Sequence, residues 1–207
     1  MTQSWADFRL EAFGEPYLVW HDGPDFSAFQ QRAIADPVTV ESVLREGLAE
    51  DDPLAAQSIA EADFDDDIEG RMIPLLTEAI DRTNSTFRVG VAQALIRLTG
   101  SERWSAAIVD VLLGAGFWSD RLDAAMALGH LTPTVELIAA LMRGAQDSEY
   151  LVRYHASNSL LRFAGRDDDI SSLPEEFERL TAENAPESWA LVASGLAGAA
   201  SARLALS

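Results

Sequence analysis

The chain has no cysteine and no lysine among its 207 residues, and only three histidines. Without cysteine, disulfides, thiolate nucleophiles and sulfur-ligated metals are excluded. With His21, His130 and His155 as the only imidazoles, a metal site would have to gather carboxylates from distant segments, so no metal and no cofactor is expected. Long apolar runs are also missing: Trp189 to Ala193 is typical, and it breaks far short of a bilayer's span. Residues Met1 to Glu11 carry Asp7 and Glu11 and lack a basic start leading into an apolar stretch, so they do not read as a secretory signal. A cytoplasmic protein with no membrane partner is expected. No P-loop, dinucleotide fingerprint, nucleophile elbow or zinc-protease helix occurs, which points away from an enzyme.

Positive charge is scarce as well. Fifteen basic residues, all arginine, face 34 acidic ones, giving a net charge of −19. Arginine without lysine, beside abundant alanine, points to a GC-rich bacterial genome. The imbalance is uneven: residues 1–70 hold 17 acids and 3 bases, residues 71–165 hold 9 of each, and residues 166–207 hold 8 and 3. Such a potential repels nucleic-acid backbones and anionic membranes and speeds encounters with basic proteins. The expected partner is therefore another protein, basic in character, and no nucleic acid.

What the chain does have is repetition. Phe87 to Gly100 (FRVGVAQALIRLTG) and Val152 to Gly165 (VRYHASNSLLRFAG) share Arg at the second place, Leu at the ninth, Arg at the eleventh and Gly at the fourteenth. They lie 65 residues apart, and Asp120 to Thr132 (DRLDAAMALGHLT) fits between them, so Arg88, Arg121 and Arg153 recur at intervals of 33 and 32. Apolar residues in each copy fall at helical spacing, as in Val89, Ala92, Leu95 and Leu98. A second amphipathic segment precedes each copy: Arg71 to Arg82, Arg103 to Leu113 and Thr134 to Arg143. The unit is a helix, a polar turn and a helix, repeated about every 33 residues.

Fainter pairs flank these three, Pro37 to Leu48 with Pro53 to Ala62, and Ile170 to Ala182 with Ser188 to Ala200. Residues 1–30 differ, holding seven of the 17 aromatic residues: Trp5, Phe8, Phe13, Tyr17, Trp20, Phe26 and Phe29. The turn-rich stretch Phe13 to Gly23 allows a short hairpin or an irregular cap. The expected organisation is a cap segment at 1–35 and a repeat array at 36–207, forming one domain.

These residues resemble the HEAT-repeat family, whose first helix has an early Pro, whose turn has an Asp and whose second helix opens with Val-Arg. RMIPLL at Arg71 to Leu76 supplies the Pro as Pro74, and DSEYLVR at Asp147 to Arg153 supplies the turn and the Val-Arg. Phe87 and Asp120 depart from the pattern, standing where Val is usual. The resemblance implies an all-α fold, a right-handed α-α superhelix of about five helix pairs with an aromatic-rich N-terminal cap. It also implies that Arg88, Arg121 and Arg153 form a structural ladder with turn carboxylates such as Asp147, and that the second helices line a concave face.

Three rows of that face follow from the register: Gly90, Asp123 and His155; Gln93, Met126 and Asn158; Arg97, His130 and Arg162. Apart from Gly90 these are the partner-binding candidates. Acidic loops supply a second set, Asp51 and Asp52 in one turn and Asp65, Asp66 and Asp67 in another. The run Asp63 to Glu69 fails as a calcium loop, since Ile68 and Pro74 stand where the EF-hand needs Gly and Glu. The shape fits a protein-binding module, and small size with strong acidity favours a bacterial immunity protein that occludes a basic toxin domain such as a nuclease. A scaffold or assembly adaptor is the alternative. A HEAT-like DNA glycosylase would place Asp123 among Arg97, Arg121 and Arg162, against the charge balance.

Overall fold

A computed structural model describes residues 3–17, 19 and 23–206. Trp20 and His21 lie outside the described residues. Those described are all-α, with twelve α-helices, two short 3-10 turns and no strand. Contacts divide the chain into two compact units, residues 1–83 with 87–104, and residues 84–86 with 105–207.

The first unit holds α1 (Trp5–Phe13), α2 (Ser27–Ala35), α3 (Pro37–Ala49), α4 (Pro53–Glu61), α5 (Asp66–Ala79) and all of α6 (Thr86–Thr99) beyond Thr86. Local sequence sets the helix starts. Asp36 and Asp52 each precede a proline, and their carboxylates accept from the amides of Thr39 and Leu54. An Asp N-cap followed by Pro satisfies one orphan N–H and removes another. Asp65 likewise accepts from the amide of Ile68, so α5 begins five residues before the first residue that hydropathy suggests, Arg71. Asp66, Asp67 and Glu69 then occupy its first turn, where the helix dipole favours negative charge.

Trp5, Phe8, Phe13, Phe26 and Phe29 form a packed cluster. Trp5 stacks near Phe8 at 6.1 Å, Phe8 meets Phe29 edge-on at 6.3 Å, and Phe13 stacks on Phe29 at 5.8 Å. Trp5, Phe8 and Phe29 are fully buried. The Trp5 indole N–H donates to Asp52 (2.9 Å) and its amide to Glu46 (3.2 Å), which fixes α1 on α3. Gly47 makes room for the ring: a Cβ there would stand 2.7 Å from it. Where the sequence allows a hairpin, the described residues contain none, and the Val19 amide instead donates to the Glu15 carbonyl at 3.2 Å.

The second unit holds α7 (Ser105–Gly114), α8 (Trp118–Leu128), α9 (Val135–Gly144), α10 (Tyr150–Phe163), α11 (Pro174–Thr181) and α12 (Pro186–Leu204). Successive helices pair as α7 with α8, α9 with α10 and α11 with α12. Across the pairs, α7 packs on α9, and α8 and α12 both pack on α10. Small residues permit the close approach. A Cβ on Gly129 would collide with Ser159, and one on Gly144 would sit 3.1 Å from Leu112 and 3.2 Å from Ala156. The buried Ser159 hydroxyl donates to the Ala125 carbonyl at 2.9 Å, joining α8 to α10 without an unsatisfied polar group. Ile108, Leu128, Leu141, Val152 and Leu160 lie between the layers, all buried. No described helix is long and apolar enough to cross a membrane.

Candidate functional site

Arg121 and Arg153 each fix the turn that precedes their own helix. Arg121, on the first half of α8, donates through Nη1 to the carbonyls of Ala115 (3.0 Å) and Gly116 (3.4 Å). Arg153, at the matching place on α10, donates through Nη1 to Asp147 (2.8 Å) and Ser148 (2.9 Å). Both arginines thus close the turn before their own helix, reaching six and five residues back. Each also reaches forward. Arg121 clasps the Asp147 carboxylate with two parallel bonds, Nε to Oδ2 at 2.7 Å and Nη2 to Oδ1 at 2.9 Å. Arg153 meets a main-chain oxygen instead, Nε to Leu180 at 3.1 Å, and lies 3.9 Å over the Trp189 ring. Arg88 pairs with Asp81 at 3.1 Å, where the carboxylate is exposed.

Electrostatics follow these contacts. Burial pushes the Asp147 carboxyl up, but its bonds to Arg121 and the Glu149 amide outweigh that and leave it below the ordinary value. Burial pulls the Arg153 guanidinium down. Arg121 spends its charge on the Asp147 carboxylate, whereas no carboxylate among the described residues bonds to Arg153.

In the second unit the second-helix candidates lie on α8 and α10, which pack together. Met126 is exposed. The Arg162 Nη1 donates to the Gly129 carbonyl at 3.3 Å and lies 3.3 Å from His130 Nε2. Burial, then the Arg162 charge, lower the His130 pKa, and burial lowers that of His155 against the opposing pull of Asp169. Both imidazoles are therefore neutral at pH 7.

Asn158 is occupied at both ends of its amide. Its Nδ2 donates to Asp169 (2.9 Å) and its Oδ1 accepts from the Ile170 amide (2.7 Å). Tyr154 also donates to Asp169 at 2.7 Å, and the Ser171 contacts first, then those of Tyr154 and Asn158, hold the Asp169 pKa at about 2 against burial. Asn158 thereby ties the 169–171 turn to α10.

Asp123 has different neighbours from those the glycosylase comparison needs. Arg121 is committed to Asp147, Arg162 turns to Gly129, and Arg97 belongs to the first unit, 3.9 Å from Glu69. Asp123 Oδ2 lies 2.6 Å from the Thr86 hydroxyl, which is also 2.9 Å from Asp120 Oδ1. Asp120 Oδ1 also accepts from the Thr86 amide at 2.9 Å, which leaves the hydroxyl proton for Asp123. Burial chiefly raises the Asp123 pKa, with the Asp120 charge adding and the Thr86 bond opposing.

In the first unit, Gln93 shares a surface depression with Pro24, Phe26, Gln57, Ala60 and Glu61. The acidic candidates separate into two kinds. Asp52 is consumed by Trp5, Arg9 (3.1 Å) and the Leu54 amide. Asp51, at φ 54°, pairs with Arg82 at 3.0 Å. Asp65 caps α5 and is still exposed, while Asp66 and Asp67 are exposed on its first turn beside Glu61 and Asp63. Among the described residues of this unit these five carboxylates within seven residues form the densest run of exposed acids, with Arg71 acting on Asp67 and Asp65 through space. Among the described residues no group of three or more His, Cys, Asp or Glu is arranged to hold a metal ion.

Glu41 was not legible as special in the sequence. Its carboxylate is buried and takes both Arg71, through Nε (2.9 Å) and Nη2 (2.6 Å), and Arg45, through Nη2 at 2.7 Å. Those bonds, Arg71's first, hold its pKa at about 2 against burial. The only sequence trace is the Glu-to-Arg spacing of four between Glu41 and Arg45. The Arg71 contact joins α3 to α5 across 30 residues.

No family model, no curated protein and no solved structure matches this chain.

Proposed function

We propose that this chain is a non-enzymatic, HEAT-like protein-binding module whose partner is a basic protein, and more specifically an immunity protein that covers a cationic toxin domain such as a nuclease. The observation that carries this reading is the exposed acidic strip of Glu61, Asp63, Asp65, Asp66 and Asp67, set beside a net charge of −19. Arginines elsewhere neutralise their own carboxylates, as at Glu41, Asp51 and Asp147, whereas Arg71 acts on Asp67 and Asp65 of this strip only through space. Such a strip steers a cationic surface toward itself and rejects anionic ones. HEAT-like stacking of the helix pairs is supported by the equivalent hydrogen bonds of Arg121 and Arg153. On this reading the exposed face of α8 and α10 around Met126, His130 and Arg162 supplies a second contact area.

The test is capture on the immobilised chain at low salt, elution with rising salt and identification by mass spectrometry. A basic protein recovered stoichiometrically, with toxin activity lost on binding, is the expected result. Replacing Asp63, Asp66 and Asp67 with Asn should slow association several-fold and flatten its salt dependence. Association that is unchanged by those replacements, with helicity intact, overturns the assignment of the strip. Recovery of an acidic protein or of nucleic acid overturns the class of partner.

A further inference from the structure

Arg121 and Arg153 occupy the same place in consecutive helix pairs, and the difference between them locates a binding site. Both spend Nη1 on two turn carbonyls. Arg121 then gives Nε and Nη2 to the Asp147 carboxylate. Arg153 gives Nε to a carbonyl, and among the described residues its Nη2 has no acceptor and its guanidinium no carboxylate partner. Yet Arg153 is only 3% exposed, its guanidinium held over the Trp189 ring, and the carboxylates of Asp147 and Glu149 act on it through space without bonding to it. A largely buried guanidinium with an edge left unbonded favours a carboxylate, the group whose geometry fits that edge.

The space for one is present. Arg153 and Trp189 line a cavity of about 650 Å3 whose rim carries Glu149, Tyr150, Glu183 and Asn184. The corresponding cavity one pair earlier is about 310 Å3 and is lined by Arg121 together with its own carboxylate, Asp147. The larger cavity sets two carboxylates, Glu149 and Glu183, around a single buried cation. That pattern selects a ligand with a carboxylate for Arg153 and a positive group within reach of the rim. A simple anion is disfavoured by the rim, and a simple cation by Arg153.

We propose that this cavity binds a carboxylate carrying a cationic group beside it, the chemistry of a polypeptide end terminating in Arg or Lys and of a free basic amino acid. The site is built from residues of the second unit and does not depend on the partner reading above.

Fluorescence anisotropy of the full chain with a dye-labelled glycine-serine peptide ending in Arg tests this, the same peptide with an amidated terminus and one ending in Ala being compared. The free-acid Arg peptide should bind. Amidation should weaken it about tenfold or more, the loss expected for a charge-assisted hydrogen-bonded pair. The Ala peptide should bind several-fold more weakly, and the Glu149→Gln, Glu183→Gln double variant should lose that preference while keeping its dependence on the free carboxylate. Displacement by free L-arginine at matching concentration assigns the site to the amino acid, and failure to displace assigns it to chain ends. Arg153→Lys is the obvious variant, but Arg153 also holds a turn, so the peptide comparison on the unaltered chain is decisive. Equal affinity for acid and amide, or no binding of any peptide at millimolar concentration, overturns the proposal.

Discussion

Replacing Gly47 with Ala tests the docking of the N-terminal aromatic cluster more sharply than any truncation. Gly47 lies in α3, and an added Cβ would stand 2.6 Å from the Ala55 Cβ and 2.7 and 2.8 Å from two Trp5 ring carbons. None of these is the end of a flexible side chain, so either α4 or the indole must shift. Overpacking of this kind costs about 1–3 kcal/mol, and moving Trp5 also stretches its bond to Asp52. The gain in helix propensity from Gly to Ala returns about 1 kcal/mol at most. A net loss of about 2 kcal/mol is expected, a fall of roughly 8–16 °C in melting temperature for a unit of about 100 residues. Gly70 provides the control. It lies in α5, is exposed, and has nothing within 4 Å of its added Cβ. Gly70→Ala should therefore stabilise by about 0.5–1 kcal/mol. Circular dichroism melts of both variants, with tryptophan emission followed in parallel, give the comparison. If the two substitutions shift the melt in the same direction by similar amounts, Trp5 does not rest on α3 and the packing described for the first unit is wrong.

Glu41→Gln should lower stability at pH 7 by about 1–3 kcal/mol in urea titrations, through loss of its charge-assisted bonds to Arg71 and Arg45. Because the folded-state pKa of Glu41 is depressed to about 2 from 4.5, its contribution is complete above pH 4.5 and is lost as pH falls toward 2; the variant should lack that part of the acid transition. Asp123 has the opposite sign. Its folded-state pKa is raised above 3.8, so ionisation costs stability as pH rises from about 4 through the folded value, and Asp123→Asn should be as stable as the parent at pH 4 and more stable at pH 7. Arg121→Lys should cost about 1–2 kcal/mol in the same titrations, because an ammonium cannot chelate Asp147 and reach two carbonyls at once.

The helices from Pro37 onward were legible in the sequence because their signals are local, namely the prolines at 37 and 53, the 3.6-residue apolar spacing and the arginine recurrence, whereas α1 and α2 lie in the stretch that reads as an irregular cap. The early start of α5 was hidden because three of its first five residues are acidic and a fourth is glycine, and a hydropathy stripe cannot reveal a first turn stabilised by capping and the helix dipole. The arginine register could not say that Arg121 would find a carboxylate and Arg153 only carbonyls and a ring, since that depends on which residue the next turn presents. Asn158 and Asp52 read as free polar groups in one dimension. Each is engaged in three, Asn158 with a turn 11 to 12 residues on and Asp52 with Trp5 and Arg9 more than 40 residues back. Glu41 was silent for the same reason, its decisive contact lying 30 residues away.

Asp147 belongs to the turn that opens α10, where it accepts from the Glu149 amide, and it is simultaneously clasped by Arg121 of α8. Opening the turn before α10 must therefore release Arg121, and with it the carbonyls of residues 115 and 116 that hold the preceding turn. Two neighbouring helix pairs are coupled through a single carboxylate. Their amides should exchange with solvent as one cooperative block, and neutralising Asp147 should split that block in two, leaving α8 and α10 to open at separate free energies.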